Sequence, residues 1–465
     1  MGIAKLLFFN STDMEKQTLH RRITPSQDQQ SEQQERWNDL AEYLVSDLDI
    51  RTGCRIRTWI QGSYKFGTQI RPTYGKEFDI DLGVYFIWNG LPEQGSWEPK
   101  QLKDFVQNSL SEYSGEGVKE VLIPPKEKCS RIMFEGDFHI DAPAYHLNEM
   151  NDNRMLATEK NQWEDSDPKA IYVWFKEKFD DTTRSQVRRL IQYFKCWSGQ
   201  KYNGATGGPS SILLTVLIAE AIPNIPSEAI VADDDALLKV VESLLKRLKA
   251  NPTVYNPVNN TESLIDHLSE QEFGVLINNF EDLRSRAKEA LSTSDLLTAI
   301  DKWTSIFGHF FPICVDELLK ESTASNQLPI RTFIPEVRVD AVPENNSHRT
   351  YSKMNSIGPI PRECKISFNI TNQNEIPGDA RIEWVVRNEG EEAEYSNDLG
   401  HRAGNDIKAE ETSRYNGTHY MDCIVKRSGS VIGWRRIPVV IFGPPIPRRN
   451  PKKKPAWVNL KKKKR

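Results

Sequence analysis

Gln61-Gly62-Ser63-Tyr64-Lys65-Phe66-Gly67-Thr68-Gln69-Ile70 is followed closely by Glu77-Phe78-Asp79-Ile80-Asp81-Leu82-Gly83-Val84-Tyr85-Phe86. In the second segment Phe78, Ile80 and Leu82 alternate with Asp79, Asp81 and Gly83, the period-two pattern of a strand with one apolar face. At about 3.3 Å per residue, Asp79 and Asp81 sit about 6.6 Å apart on the opposite face. Two carboxylates that close raise each other's pKa unless a cation lies between them. An all-oxygen site of this kind suits a hard divalent ion, Mg²⁺ above all.

A third carboxylate follows in Phe138-His139-Ile140-Asp141-Ala142-Pro143-Ala144-Tyr145, another short alternating strand. Laid beside the first strand, it would complete a cluster of Asp79, Asp81 and Asp141. Such a cluster can hold two ions about 3.5–4 Å apart. The Gly62-Ser63 turn offers free backbone N–H groups that can cradle the phosphates those ions bridge. Asp-x-Asp alone is also what a solvated strand face looks like. The turn sixteen residues before Asp79 and the strand aspartate sixty residues after Asp81 weigh for a site.

The order of Gly-Ser, Asp-x-Asp and a lone strand aspartate resembles the polymerase-β-like nucleotidyltransferases. More narrowly, the chain is similar to the bacterial cyclic-oligonucleotide synthases related to cyclic GMP-AMP synthase, the DncV-like or CD-NTase family. The matching pieces are residues 61–68, Asp79-Ile80-Asp81, Phe138–Asp141, Ser166–Lys169, Arg188–Trp197 and Pro209-Ser210-Ser211. The resemblance implies an α/β (α+β) core with a helical lobe and catalysis by Asp79, Asp81 and Asp141. These would bind two Mg²⁺ ions, with Mn²⁺ as the alternative. ATP and/or GTP would become a cyclic di- or trinucleotide that activates a separate effector in phage-infected cells. Substrate contacts are expected at Gln61, Gly62, Ser63, Tyr64, Lys65, Phe66, Arg131, Lys195, Ser210, Ser211 and Asn256.

Several of these positions have two readings. Arg131 lies with Lys126 and Lys128 on or before a strand leading to Asp141, as a nucleotide contact or a solvated basic edge. Lys195 follows the helical stripe Val187, Leu190, Ile191, Phe194 and is expected off its buried face. There it is either solvated or a point charge for a triphosphate. Ser210 and Ser211 open a helix, as caps or as contacts at its N-terminus. Asn256 precedes Pro257 where relatives carry Asp-Pro, which leaves base choice open.

With 38% hydrophobic and 27% charged residues among 465, the composition is that of an ordinary soluble protein of two domains. No run approaches the eighteen or so apolar residues of a membrane span. The patch Leu6–Phe9 is too short for a signal-peptide core, and Leu6 stands where myristoylation requires Ser or Thr. Six scattered cysteines without zinc spacing point to reduced thiols in a cytoplasmic protein. The last twenty residues hold ten Lys/Arg and no acid; removing them from the net −4 leaves −14 for residues 1–445. An acidic body argues against nucleic-acid binding except through that basic tail.

The expected division is a nucleotidyltransferase over 1–325, a linker over 326–340, an all-β module over 341–445 and the tail over 446–465. Thr24-Pro25-Ser26-Gln27 reads as a cap and first turn for a long helix carrying Trp37, Leu40, Leu44 and Leu48. Further helices are expected over 233–250, 261–290 and 294–309, before the helical pattern stops near Ser322–Gln327. Alternating segments from Glu336 to Phe442 predict an immunoglobulin-like sandwich. Arg381–Asn388 and Asn416–Tyr420 resemble the AGS-C sensor domain appended to some of these synthases. A nucleotidyltransferase acting on RNA or protein, or a non-catalytic nucleotide-sensing module, is the competing reading.

Overall fold

The computed structural model describes residues 2–10, 18–72, 77–136, 138–203, 205, 207–226, 232–312, 333–344 and 349–443. Two compact units emerge, one from Pro25–Asp181 and one from Met1–Thr24 together with Thr182–Ile446. The units part at 24/25 and 181/182. The basic tail and the Ser322–Gln327 stop lie outside the described residues.

Helix α1 (Leu19–Ile23) and helix α2 (Gln27–Thr52) meet at Pro25. The cap of α2 is Ser26, not Thr24: Ser26 Oγ accepts from Gln29 N at 3.1 Å, and Gln29 Oε1 accepts from Ser26 N at 3.0 Å. Thr24 instead closes α1 through its N–H to the His20 carbonyl. Its extended backbone is what a residue before proline adopts.

The Pro25–Asp181 unit holds one eight-stranded sheet. After β1 (Arg55–Gln61) comes a single short helical turn, α3 (Gly62–Phe66), then the central strand β2 (Phe78–Ile87). Helix α4 (Pro99–Glu112) leads to β3 (Val118–Val121), β4 (Ser130–Phe134), β5 (Phe138–Ala142) and β6 (Ala144–Asn148). Strands β7 (Asn153–Ala157) and β8 (Trp163–Asp165) and helix α5 (Pro168–Lys178) complete the unit.

Strands β5 and β6 behave as one strand running parallel to β2. Phe78 pairs with Phe138, Asp81 with Asp141 and Val84 with Ala144, and Val84 N donates to the Pro143 carbonyl across the break. The register is fixed because a one-residue slip would expose every apolar side chain. Phe78, Ile80, Leu82, Val84 and Phe86 are buried with Ile132 and Ile140 beneath α2 (Leu40, Leu44, Leu48) and α4 (Leu102, Val106, Leu110). Burying each such side chain is worth about 1.5–3 kcal/mol. The polar face is thereby set.

The second unit begins with the apolar patch near the chain start, where Leu7 and Phe8 belong to the core. Phe8 is fully buried and meets the rings of Tyr193, Trp303 and Phe311 edge-on at 4.7–5.5 Å. The unit continues with α6 (Asp181–Tyr202), α7 (Ser211–Ala221) and α8 (Asp233–Ala250). A hairpin of β9 (Tyr255–Asn256) and β10 (Asn259–Ser263) occupies the start of the expected 261–290 helix. That helix, α9 (Glu270–Ser292), starts only at the Ser269–Glu272 capping box, and α10 (Leu296–Phe307) follows.

The β module starts with β11 (Val337–Pro343), inside the segment expected as linker. One sheet adds β12 (Tyr351–Met354), β14 (Cys364–Ile370) and β17 (Lys408–Thr412). The other holds β13 (Ile357–Pro361), β15 (Arg381–Arg387), β16 (Arg402–Gly404), β18 (Gly417–Arg427) and β19 (Ser430–Phe442). Both sheets feed one core, with Val339 and Phe368 from the first and Trp384, Cys423 and Ile437 from the second. The module is docked on the helices of its unit. Arg387 Nη1 donates to the Phe311 carbonyl at 2.5 Å, and Lys426 pairs with Asp301 at 2.5 Å. Among the described residues no helix is long and apolar enough to cross a membrane.

Candidate active site

On the polar face of the sheet, the pairing of β2 with β5 sets four side chains in a two-by-two array. Asp79 stands beside His139, and Asp81 beside Asp141. Asp79, His139 and Asp141 each offer a ligand atom, all within 4.8 Å of one another. Asp81 stands outside that tightest trio because its carboxylate is turned towards Gly62. A Cβ at Gly62 would fall 1.8 Å from Asp81 Oδ2, and the residue holds φ +58°. Only glycine lets the turn lie this close.

The array is held by cations. Arg131, opposite Asp141 in the β4–β5 register, places Nε 2.5 Å from Oδ1 and Nη2 2.8 Å from Oδ2. Lys126 Nζ reaches the same Oδ2 at 3.1 Å. His139 Nδ1 is 2.8 Å from Glu77 Oε2, and its Nε2 lies 2.9 Å from Asp79 Oδ1. Burial and then the charges of Asp79 and Asp141 push the Asp81 carboxyl up to about 7. Burial works against the charge on Asp141 as well, yet Arg131 and Lys126 hold it below the ordinary carboxylate range. For His139, burial opposes the proton, and the Asp79 and Glu77 carboxylates raise its pKa above the ordinary value.

These residues fit a hard divalent cation. The acids Glu77, Asp79, Asp81 and Asp141 outnumber the neighbouring Arg131, Lys126 and His139. Burial first, and then that excess, raise the pKa of the Asp81 carboxyl. Asp79, Asp81 and Asp141 would supply the oxygen donors such an ion prefers.

The other expected positions divide. Gln61 is buried, its Nε2 donating to Tyr85 Oη at 2.7 Å while Tyr145 Oη donates to its Oε1 at 3.3 Å. Gly83 leaves the room for that carboxamide, since a Cβ there would meet Gln61 Nε2 at 1.9 Å. Tyr64 packs edge-on to Trp37, and Phe66 sits against Tyr172 and Phe175. Lys65 lies over the rings of Trp59 and Tyr172, 5.2 Å from each centroid. All three side chains anchor the turn that presents Gly62 and Ser63.

Lys195, Ser210, Ser211 and Asn256 belong to the other unit. Lys195 is buried, against the expectation of a surface position, because α6 is buried without interruption from Leu190 to Trp197. Ser210 caps α7 by accepting from Leu213 N at 3.3 Å, while Ser211 is exposed as its first residue. Asn256 is buried and spans the hairpin. Its Nδ2 donates to Glu262 at 2.6 Å and its Oδ1 accepts from Val258 N at 3.1 Å. An aspartate there would face Glu262 as a like charge, which accounts for Asn-Pro in this chain.

The sequence reading passed over His139 as a site residue, although it shares the parity of Asp141 as Asp79 shares that of Asp81.

Residues 56–145 match the family described as cyclic GMP-AMP synthase DncV-like, nucleotidyltransferase domain, and span every member of the array. Residues 319–442 match the adenylyl/guanylyl and SMODS C-terminal sensor domain. By these matches the chain carries a DncV-like nucleotidyltransferase domain and, after it, a C-terminal sensor domain. A cyclic GMP-AMP synthase of Escherichia albertii is 28% identical over 443 residues, covering 94% of this chain and 95% of that protein. A c-di-GMP synthase of Roseivirga ehrenbergii is 24% identical and covers 49% of this chain and 65% of that one. The solved CD-NTase CdnG of Bradyrhizobium diazoefficiens, in complex with GTP, shares the fold at a TM-score of 0.50. It is 15% identical and covers 66% of this chain and 97% of its own. The DncV-like assignment makes Asp79, Asp81 and Asp141 the candidate metal-holding set and leaves His139 as an addition from the geometry.

Proposed function

We propose that this DncV-like enzyme joins ribonucleoside triphosphates, ATP and/or GTP, into a cyclic di- or trinucleotide. The carrying observation is the two-by-two array, a surplus of carboxylates set against the Gly62 turn. Asp79, Asp81 and Asp141 would hold two Mg²⁺ ions, or Mn²⁺. When bound, these supply a more acidic 3′-hydroxyl and neutralise charge on the triphosphate. The acceptor 3′-oxygen attacks the α-phosphorus, one P–O bond forms, and the bond to pyrophosphate breaks. A second such round closes a dinucleotide ring, and a third closes a trinucleotide ring.

The Gly62 amide and Ser63 position the phosphates, while Lys65 and Phe66 clamp the turn from behind. Arg131 and Lys126 keep Asp141 ionised and aimed. His139 steers Asp79 from one side. Lys195, Ser210, Ser211 and Asn256 are assigned to substrate through the family likeness alone. The two-sheet C-terminal module is read as an immunoglobulin-like sandwich, and the product as a messenger to a separate effector in anti-phage signalling in the cytoplasm.

The test is incubation with labelled nucleoside triphosphates and Mg²⁺. A phosphatase-resistant small product, identified by mass spectrometry, is expected. Label appearing only in RNA or protein would replace this reading with transfer to a macromolecule.

A further inference from the structure

Between the sheets of the β module lies a cavity of about 190 Å³, lined from both sides. Phe368 from one sheet and Val386, Met421 and Val439 from the other make its apolar wall. The cavity opens to solvent on the side of His401 and Arg414, both exposed, so its apolar wall is open to an occupant. Its polar side is organised in advance. Asp398 accepts from Tyr415 Oη at 2.9 Å and from Asn388 Nδ2 at 3.3 Å, and His401 Nε2 pairs with Glu411 Oε1 at 2.7 Å. His419 is locked between the Tyr415 carbonyl at 2.8 Å and the Glu389 N–H at 3.3 Å. Apolar walls with a few convergent, fixed polar groups are the signature of a small-molecule site.

The lining selects the ligand by chemistry. A phosphate would meet the carboxylates of Asp398 and Glu411, whose lining partners, Arg414 at 3.7 Å from Asp398 and His401 at 2.7 Å from Glu411, are already committed to them. A plain hydrocarbon would strip water from those carboxylates and return no hydrogen bond. A flat ring with N–H donors along one edge satisfies both sides. We propose that the β module binds an unphosphorylated heteroaromatic amine of nucleobase size in this cavity.

The site is wired to the helices of its unit. Lining residues alternate with residues that grip the helical part. Arg387, between Val386 and Asn388, donates to the Phe311 carbonyl at 2.5 Å. Leu399, next to Asp398, accepts from Arg22 Nη2 at 2.9 Å. Both guanidinium groups also reach the His309 carbonyl, at 3.4 and 3.1 Å. An occupant that moves Asn388 or Asp398 therefore moves these grips.

The experiment uses full-length protein with ¹³C-methyl methionine, the Met421 signal being assigned by Met421→Leu. Adenine, guanine, cytosine and their nucleosides are titrated against the matching 5′-monophosphates. At least one base or nucleoside should shift the Met421 methyl at submillimolar concentration, with its monophosphate at least tenfold weaker. Glu411→Gln, on the exposed His401 pair, should weaken that binding about tenfold, and Val439→Phe should abolish it. The proposal is overturned by a Met421 signal that no base or nucleoside moves. Monophosphates binding as tightly as bases, or an unchanged Glu411→Gln, overturn it equally. No turnover is needed, so failure here is separable from failure of the proposed synthesis.

Discussion

Two aspartates in this molecule are each gripped by a pair of cationic side chains, Asp141 by Arg131 and Lys126, Asp422 by Arg387 and Arg436. Around Asp422 the cations are in surplus. It is wholly buried, Arg387 Nε at 2.7 Å and Arg436 Nε at 2.8 Å share it, and Arg387 spends a further N–H on the Phe311 carbonyl. Burial opposes its charge, and Arg436 and Arg387 nevertheless hold it below the ordinary range. Around Asp141 the surplus is of acids, with Asp79 and Asp81 alongside and Asp79 exposed. A closed network whose one carboxylate is fully paired serves the fold. An open one with unmatched carboxylates is a place for a cation and a substrate.

The sharpest break between the two networks is the double change Asp79→Ala, Asp81→Ala. Nucleotidyl transfer, read as pyrophosphate release, should fall by about a thousandfold or more, the scale on which transition-state charge stabilisation acts. Metal-free melting temperature should hold or rise, since like-charge repulsion is removed. Near-normal turnover would remove the array from catalysis.

Asp422→Ala should do the reverse. Leaving Arg387 and Arg436 buried without their anion costs about 3–5 kcal/mol, visible as a lower urea midpoint. A stability change within about 0.5 kcal/mol would show the pair to be ornamental. Third comes Gly62→Ala. Its Cβ collides with Asp81 Oδ2 and its φ is unfavourable, so turn or carboxylate must shift by about 1 Å. A shift of that size costs about a hundredfold in rate. Activity within threefold of the parent would mean that the close approach is not used.

The comparison also marks what the sequence could carry. Asp79, Asp81 and Asp141 were legible because alternation fixes parity, and parity fixes which side chains share a face. His139 was not, because its neighbour on β2 depends on a zero slip between strands sixty residues apart, which no local pattern encodes. Lys195 was misplaced for the opposite reason. A helical stripe predicts one buried face, but α6 is enclosed on all sides over Leu190–Trp197. The Asp422 network was invisible, since Arg387 and Arg436 read as solvated charges until the strands pair. Strands β12, β13, β16 and β17 were missed because each is only three to five residues long, too short for alternation to show.

The smallest expected effect separates the two units by pH. Asp81, pushed up to about 7, is protonated more readily folded than unfolded. Its contribution to metal-free stability is thus full below about 4 and lost as pH rises through about 7. His20, in the other unit, is lowered to about 4, first by burial and then by the Arg189 charge. Its contribution is full above 6.5 and lost as pH falls through about 4. Between about pH 4 and 6.5 the two slopes oppose each other, so melting of the metal-free parent should vary little there. Asp81→Asn should leave a melting temperature that climbs with pH across this window, and His20→Gln one that declines. Mg²⁺ should erase the Asp81 slope alone, because a cation among the carboxylates favours the charged form against both the burial and the repulsion that raise its pKa. Calorimetry from pH 4 to 8, with EDTA and with Mg²⁺, reads both slopes. An Asp81→Asn profile parallel to that of the parent would mean that the charge surplus around Asp141 does not exist in solution, and the contrast with Asp422 would fall with it.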